Sequence, residues 1–174
     1  MDKIETKRTV LRRQVPSDFD SIRELEMNPL IMKFTPSKVP QTEEQTRIRF
    51  EGQMAKQASL EPFGIWVADL KEDKALVGWF MLMVTEKSQL EIGFMLNQKH
   101  WNKGLTTEIS KALIDFVKTQ KDFDAIVAKT TMDNVVSIHT LKKLGFENTG
   151  TAIVPDRHTG DPVQVQTFKF NLLS

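Results

Sequence analysis

The stretch Glu91–Glu108, EIGFMLNQKHWNKGLTTE, constrains this chain more than any other. An apolar run (Ile92, Gly93, Phe94, Met95, Leu96) reads as a buried strand. A basic turn, Gln98 to Gly104, follows it, and a helix is expected from about Thr106. Strand, turn and helix in that order make an anion site: the first N–H groups of a helix have no partner within it, and its dipole places partial positive charge there. Gly104 has no Cβ, so the turn can approach a ligand closely or take a positive φ. The Lys99, His100 and Lys103 side chains are expected to add positive potential. The same pattern also fits an ordinary strand-to-helix connection with solvated lysines, since the established phosphate-loop motifs are absent.

Composition narrows what surrounds this stretch. The 174 residues suit a single domain, 1–174, with a sizeable core. Basic and acidic residues number 24 and 23, so charge alone points to no nucleic-acid partner. With no cysteine, disulfides, thiolate metal sites and a cysteine nucleophile are all excluded; tyrosine is absent too. No metal site is expected. The segment MDKIETKRTVLRR has no apolar centre, and no apolar run approaches the roughly 18 residues of a membrane span, so neither a signal peptide nor a membrane association is expected and a cytoplasmic location is the default.

In chain order, Thr6–Arg13 predicts a strand, and Pro16-Ser17-Asp18 predicts a helix start with Phe19, Ile22 and Leu25 inward. Asn28-Pro29 ends that helix, and Leu30, Ile31, Met32 and Phe34 form an apolar segment. A polar helix from Thr42 to about Ala58 has a thin buried face of Ile48, Phe50 and Met54, as a cover over something would have. Phe63–Leu70, Ala75–Thr85 and Gln89–Leu96 are rich in Val, Ile, Phe, Trp and Leu, and their short charged separators predict an antiparallel three-strand meander. Trp66 and Trp79 lie in it as packing residues. The helix after Gly104 carries Leu105, Ile109, Ala112, Leu113, Phe116 and Val117, the spacing of a face laid on a sheet. Ala125–Thr131 then reads as a strand reached by a right-handed crossover, parallel to the one ending at Leu96. Asp133 is expected to cap a further helix with Val136, Thr140 and Leu144 along one side and Gly145 at its stop. Glu147–Val154 and Val163–Leu172 alternate as a hairpin joined by the polar loop DRHTGDP, whose Asp156, Arg157, His158 and Asp161 read by themselves as a charged turn. An edge strand and this hairpin would give a homodimer somewhere to form.

This order, with TKRTVLRR and SDFDSI, MNPLIMKF, LEIGFML, HWNKGLTTE and DNVVSIHTLKKLGF, resembles the GNAT superfamily of N-acetyltransferases, and within it the RimJ/RimL type that acetylates ribosomal-protein N-termini. The matching segments span most of the chain. The resemblance implies an α+β (mixed α/β) fold: a central, mostly antiparallel sheet with one parallel, splayed strand pair, flanked by helices. It implies acetyl-CoA as cofactor, with the coenzyme A pyrophosphate held at the turn that this sequence writes Trp101-Asn102-Lys103-Gly104-Leu105-Thr106, and with Thr107 next to it. The turn departs from the general pattern of the superfamily in carrying Trp101 and Thr106 at its outer positions, and from this branch in having Asn102 where a glycine is usual; its donors are main-chain N–H groups, which any residue but proline supplies. By the same resemblance the amides of Phe94, Met95 and Leu96 meet the acetyl carbonyl and pantetheine, and Asn134 contacts the cofactor.

Acetyl transfer from a thioester needs a neutral amine, an oxyanion stabiliser and a proton for the departing thiolate. An α-amine, with a pKa near 8, is partly neutral at pH 7, whereas a lysine near 10.4 needs more help. Glu91, just ahead of the buried run, is the candidate general base; its plainer reading is a strand-end charge in a surface pair. The superfamily's usual proton donor is a tyrosine four residues before Gly145-Phe146, and this chain has Leu141 there. Ser137 matches the serine that the branch is thought to use instead, or is only a small residue one turn into the helix. His139 points away from it and reads as a surface residue.

The expected function is therefore an acetyl-CoA-dependent N-acetyltransferase acting by direct transfer in a ternary complex on a primary amine, a protein N-terminal α-amine in the first place. Aminoglycoside or polyamine acceptors are the alternative, with Glu43, Glu44, Glu51, Asp156 and Asp161 as conceivable anionic lining. A non-catalytic acyl-CoA-binding module is the reading from another class.

Overall fold

The computed structural model describes residues 3–86, 88–156 and 160–172. One eight-stranded sheet runs through it, made of β1 (Lys3–Glu5), β2 (Thr9–Arg13), β3 (Gly64–Leu70), β4 (Leu76–Glu86), β5 (Gln89–Leu96), β6 (Ala125–Thr131), β7 (Glu147–Pro155) and β8 (Pro162–Asn171), in the order β1-β2-β3-β4-β5-β6-β8-β7. The helices are α1 (Phe19–Met27), α2 (Pro29–Met32), α3 (Glu43–Lys56), α4 (Leu105–Lys118) and α5 (Val135–Lys143). Every strand pair is antiparallel except β5 with β6, the pair that the crossover through α4 makes parallel. This is the mixed α/β fold expected from the sequence, and the meander and the crossover strand occupy the predicted segments.

Alternation along β5 decides what each face does. Leu90, Ile92 and Leu96 are buried, and with partly buried Phe94 they belong to the main core formed with α4, through Leu105, Ile109, Leu113, Phe116 and Val117. Glu91, Gly93 and Met95 alternate with them and so turn to the other face. There Met95 and Trp79 pack on a second cluster of Ile22, Leu25, Ile31, Phe50 and Val67, supplied by β3 and by α1, α2 and α3. Burying side chains of this size contributes about 1.5–3 kcal/mol each, so two such clusters, one per face, hold the sheet between helical layers. A Cβ on Gly78 would stand 2.1 Å from the Met95 carbonyl oxygen, so a glycine there lets β4 close tightly on the end of β5.

Several local expectations need correction. The first strand is preceded by a shorter one, β1, which pairs through Ile4↔Leu11; three residues with one apolar side chain give no readable pattern. Pro16–Asp18 forms a 3-10 turn before α1, and buried Asp18 accepts from the Val15 N–H and from Arg12, which also binds Asp69. On α3 the inward residues are Thr46 and Phe50, while Ile48 is exposed. The inward face of α5 is Ser137, Thr140 and Leu141, with Val136 exposed, and its N-cap is Asn134 rather than Asp133. Gly145, with φ of 92°, ends α5 as expected. In the polar hairpin loop, Asp156 is buried and Asp161 described, whereas Arg157 and His158 lie outside the described residues.

Candidate active site

The parallel pair makes only three rungs, Gln89↔Ala125, Leu90↔Ile126 and Glu91↔Val127. Beyond Glu91 the strands part: β5 runs on to Leu96 without β6 beside it, while β6 stays bound to β8 as far as Thr131↔Val165. Unpaired N–H and C=O groups inside a fold need partners, so this edge is a template for an extended ligand.

A cleft of about 220 Å³ opens at the splay. Its walls include Phe94, Met95 and Leu96 from β5, Trp101, Asn102 and Thr106 from the turn and the start of α4, and Asn134, Val136, Ser137 and Thr140 from α5. The splay thus collects eight of the sequence-chosen residues: Phe94, Met95, Leu96, Trp101, Asn102, Thr106, Asn134 and Ser137. Ile31, Phe34 and Thr35 close the far side, contributed by α2 and the loop after it. Sequence reasoning missed these three, because they are remote along the chain: Ile31 and Phe34 read only as part of an apolar segment and Thr35 carried no signal; Val136 and Thr140 had a packing role only. All side chains in this lining are uncharged.

The turn has the conformation an anion site needs. Asn97 Oδ1 accepts from the Lys99 N–H and starts a short 3-10 turn, Gln98–His100. The Trp101 indole N–H then donates to the Leu96 carbonyl at 3.1 Å, pinning the end of β5, and its ring meets Phe34 edge-on at 6.2 Å. Asn102 takes φ of 57° and Gly104 φ of 71°. Left-handed backbone explains the usual glycine at the first position, and asparagine is among the few other residues that adopt it at modest cost. Gly104 is the N-cap of α4 and offers no side-chain cap, so N–H groups of the first turn remain for a ligand.

Lys103 and Gly104 belong to the turn without lining the cleft, Leu105 is buried in the core, and Thr107 is half-buried on α4. The expected cationic rim needs revision. Burial lowers the His100 pKa, with the Lys103 charge adding to the effect, and both favour the neutral imidazole. Lys99 pairs with Glu24 at 3.2 Å. Arg8, which sequence reading passed over, instead reaches the turn and donates to the Lys103 carbonyl at 2.9 Å.

On α5, Asn134 Oδ1 accepts from the Ser137 N–H at 3.1 Å, so Asn134 orders the helix start and Ser137 stands buried in its first turn. Glu91 is separate from the cleft lining. Its Oε2 accepts from Lys129 Nζ at 2.6 Å on the sheet face opposite α4, and its side chain is 15% exposed. The loop after α2 is tied across the splay on this face, where Thr131 Oγ1 donates to the Phe34 carbonyl and Lys38 pairs with Asp133.

An eight-stranded mixed sheet, opened at one parallel pair beside an uncapped helix start, is the frame of this site. The family model for the acetyltransferase (GNAT) domain matches residues 8–147, and the chain belongs to that family. Over 99% of this chain and 97% of its partner, it is 28% identical to the uncharacterized N-acetyltransferase p20 of Bacillus licheniformis. Among solved structures, a GNAT-family acetyltransferase from Bacillus anthracis superposes with a TM-score of 0.84 at 22% identity, covering 99% of both chains. The ribosomal L7/L12 α-N-protein acetyltransferase RimL, in complex with coenzyme A, superposes at 0.80 with 17% identity, covering 98% of both. At such identities the structural likeness speaks for the fold. Among the described residues no helix is long and apolar enough to cross a membrane, and no group of His, Asp and Glu is placed to hold a metal ion.

Proposed function

We propose that this acetyltransferase uses acetyl-CoA to acetylate a primary amine by direct transfer in a ternary complex, and that its acceptor is a protein N-terminal α-amine. The single observation that carries the cofactor half is the convergence on one cleft of a strand edge without β6 beside it, a left-handed turn and an uncapped helix start. These features fit the cofactor in kind: extended backbone edge for the amide-bearing pantetheine arm, free N–H groups for the phosphates. The cofactor supplies the activated acetyl carbon and a thiolate leaving group. Phe94, Met95 and Leu96 line the place where the acetyl carbonyl's developing charge would need main-chain donors. Ser137, in the same lining, is the candidate to deliver the proton to the departing sulfur. Glu91, on the opposite face of the sheet, is the candidate to take the proton from the amine, directly or through water. The acceptor nitrogen forms the new C–N bond as the C–S bond breaks; its proton leaves to the base and the sulfur gains one.

The acceptor half is supported by charge. The cleft lining is uncharged, Glu91 is already neutralised by Lys129, and Glu43 is bound by Arg23 and Arg47. A polycation is poorly matched to such surroundings, whereas an α-amine, partly neutral at pH 7, needs little anionic help. Calorimetry with acetyl-CoA, then thiol release against N-terminal peptides, aminoglycosides and polyamines, tests both halves. Micromolar binding with release on peptides is expected. Release only on polyamines would transfer the acceptor assignment to them, and binding without release on any panel member would favour a non-catalytic acyl-CoA module.

A further inference from the structure

The turn at 101–104 is held from outside by the N-terminal hairpin. Arg8, in the connection between β1 and β2, donates through Nε to Glu108 Oε2 at 2.8 Å and through Nη1 to the Lys103 carbonyl at 2.9 Å. Glu108 Oε1 is gripped by the Arg8 main-chain N–H at 2.8 Å and by the Thr6 hydroxyl at 2.6 Å. Burial works to raise the Glu108 pKa, but the bonds from Thr6 and Arg8 outweigh it, and the carboxyl titrates below its ordinary value. The guanidinium is thus locked at two of its corners. Its third, Nη2, is engaged by none of these bonds and is the nearest atom to the open side of Gly104, 3.8 Å from where a Cβ would stand.

We infer that Arg8 is a phosphate-binding residue of the cofactor site, presenting its Nη2 edge beside the N–H groups of the α4 start. This rests on the acetyl-CoA reading above and adds to it a side-chain cation from a remote part of the chain. The chemistry is direct. A guanidinium gives paired donors in a fixed plane and is charged at any working pH, which suits phosphate oxygens. Ordering the group in advance removes the rotamer entropy that a free surface arginine would lose on binding. It also answers an electrostatic difficulty: Glu108 places a negative charge in the first turn of α4, within the field of an incoming phosphate, and Arg8 offsets it. With the neutral form of His100 favoured and Lys99 paired with Glu24, Arg8 is a cation bound directly to the turn that carries Lys103.

The test is calorimetric titration of wild type, Arg8→Gln and Glu108→Gln with coenzyme A and with 3′-dephospho-coenzyme A, with a thermal melt on each protein. Wild type is expected to bind coenzyme A, and Arg8→Gln to weaken it about tenfold or more, as loss of a charged hydrogen bond does. Glu108→Gln, which removes the pairing charge but keeps the guanidinium, loses only the advance ordering and is expected to weaken binding much less than Arg8→Gln does. Weakening of both ligands by Arg8→Gln assigns the pyrophosphate, and weakening of coenzyme A alone assigns the 3′-phosphate. Equal losses in the two variants, tracking their melting temperatures, would reduce Arg8 to a strut for the turn and overturn the inference. So would wild-type affinity in Arg8→Gln. If wild type itself binds neither ligand, the cofactor reading fails together with this one, which separates that failure from the others. Should Arg8→Gln not fold, Arg8→Lys is measured: it keeps the charge without the planar fork, so weaker binding with the salt dependence retained supports the assignment, and wild-type affinity refutes it.

Discussion

Glu91 and Lys129 face one another across the opening of the sheet: Nζ donates to Oε2 at 2.6 Å, with Glu91 at the last parallel rung and Lys129 two residues beyond its partner Val127. An amine is therefore already seated on the carboxylate proposed as base, and an incoming acceptor would have to share or displace it. Glu91→Gln removes the proton acceptor without altering shape. It is expected to lower kcat about tenfold or more while leaving the Kd for acetyl-CoA within about twofold, by steady-state thiol release and calorimetry. An unchanged rate would return Glu91 to a strand-end ion pair.

Asn134 and Ser137 are joined through the helix start, so their substitutions should separate. Asn134→Ala removes the cap of α5 and is expected to lower stability by about 1 kcal/mol, visible as a lower Tm. Ser137→Ala keeps the Ser137 N–H that the cap engages, so its Tm should change little while kcat falls about tenfold. A Tm drop in Ser137→Ala as large as that of Asn134→Ala, with no specific loss of rate, would make the hydroxyl a packing group.

Asn102 offers a test that needs no ligand. Its φ of 57° is a conformation that alanine adopts at a cost of about 1–2 kcal/mol and glycine adopts freely. Asn102→Ala should therefore lower the unfolding free energy by about 1 kcal/mol in urea, and Asn102→Gly should stay near wild type. Equal behaviour of the two variants would mean the turn relaxes out of the left-handed region.

His100 should make stability depend on pH. Burial, first, and the Lys103 charge hold its folded pKa below the ordinary 6.5, so the unfolded chain binds the proton more readily. Stability from this group is full above pH 6.5 and is lost as the pH falls below that toward the folded value. Thermal melts between pH 8 and pH 5.5, where carboxylates stay ionised, should show a steeper decline for wild type than for His100→Gln. Parallel curves would refute the assignment.

Much of this was legible in the amino-acid order, for a definite reason. The apolar, β-rich runs between Phe63 and Leu96, the helical stripe Leu105–Val117 and the short connections between them are local patterns. With a right-handed crossover they leave little choice but a meander and one parallel pair. The family resemblance singled out Phe94–Leu96, the 101–106 turn, Asn134 and Ser137, and folding brings eight of those residues to one cleft. Charge partners were not legible, because a side chain's partner depends on what else arrives. His100 could be read as a cation until burial was known, Lys99 until Glu24 was seen beside it, and Glu91 as a lone carboxylate until Lys129 was found on the next strand. Arg8 lies 95 residues before the carbonyl it holds, and Phe34 lies 97 before the Thr131 hydroxyl that it accepts from. Periodicity and turn chemistry act over a few neighbouring residues, so the chain's own order settled the elements and their sequence; the pairing of charges and the walls of the cleft arose only when distant segments met, where burial and Coulomb forces act through space rather than along the backbone.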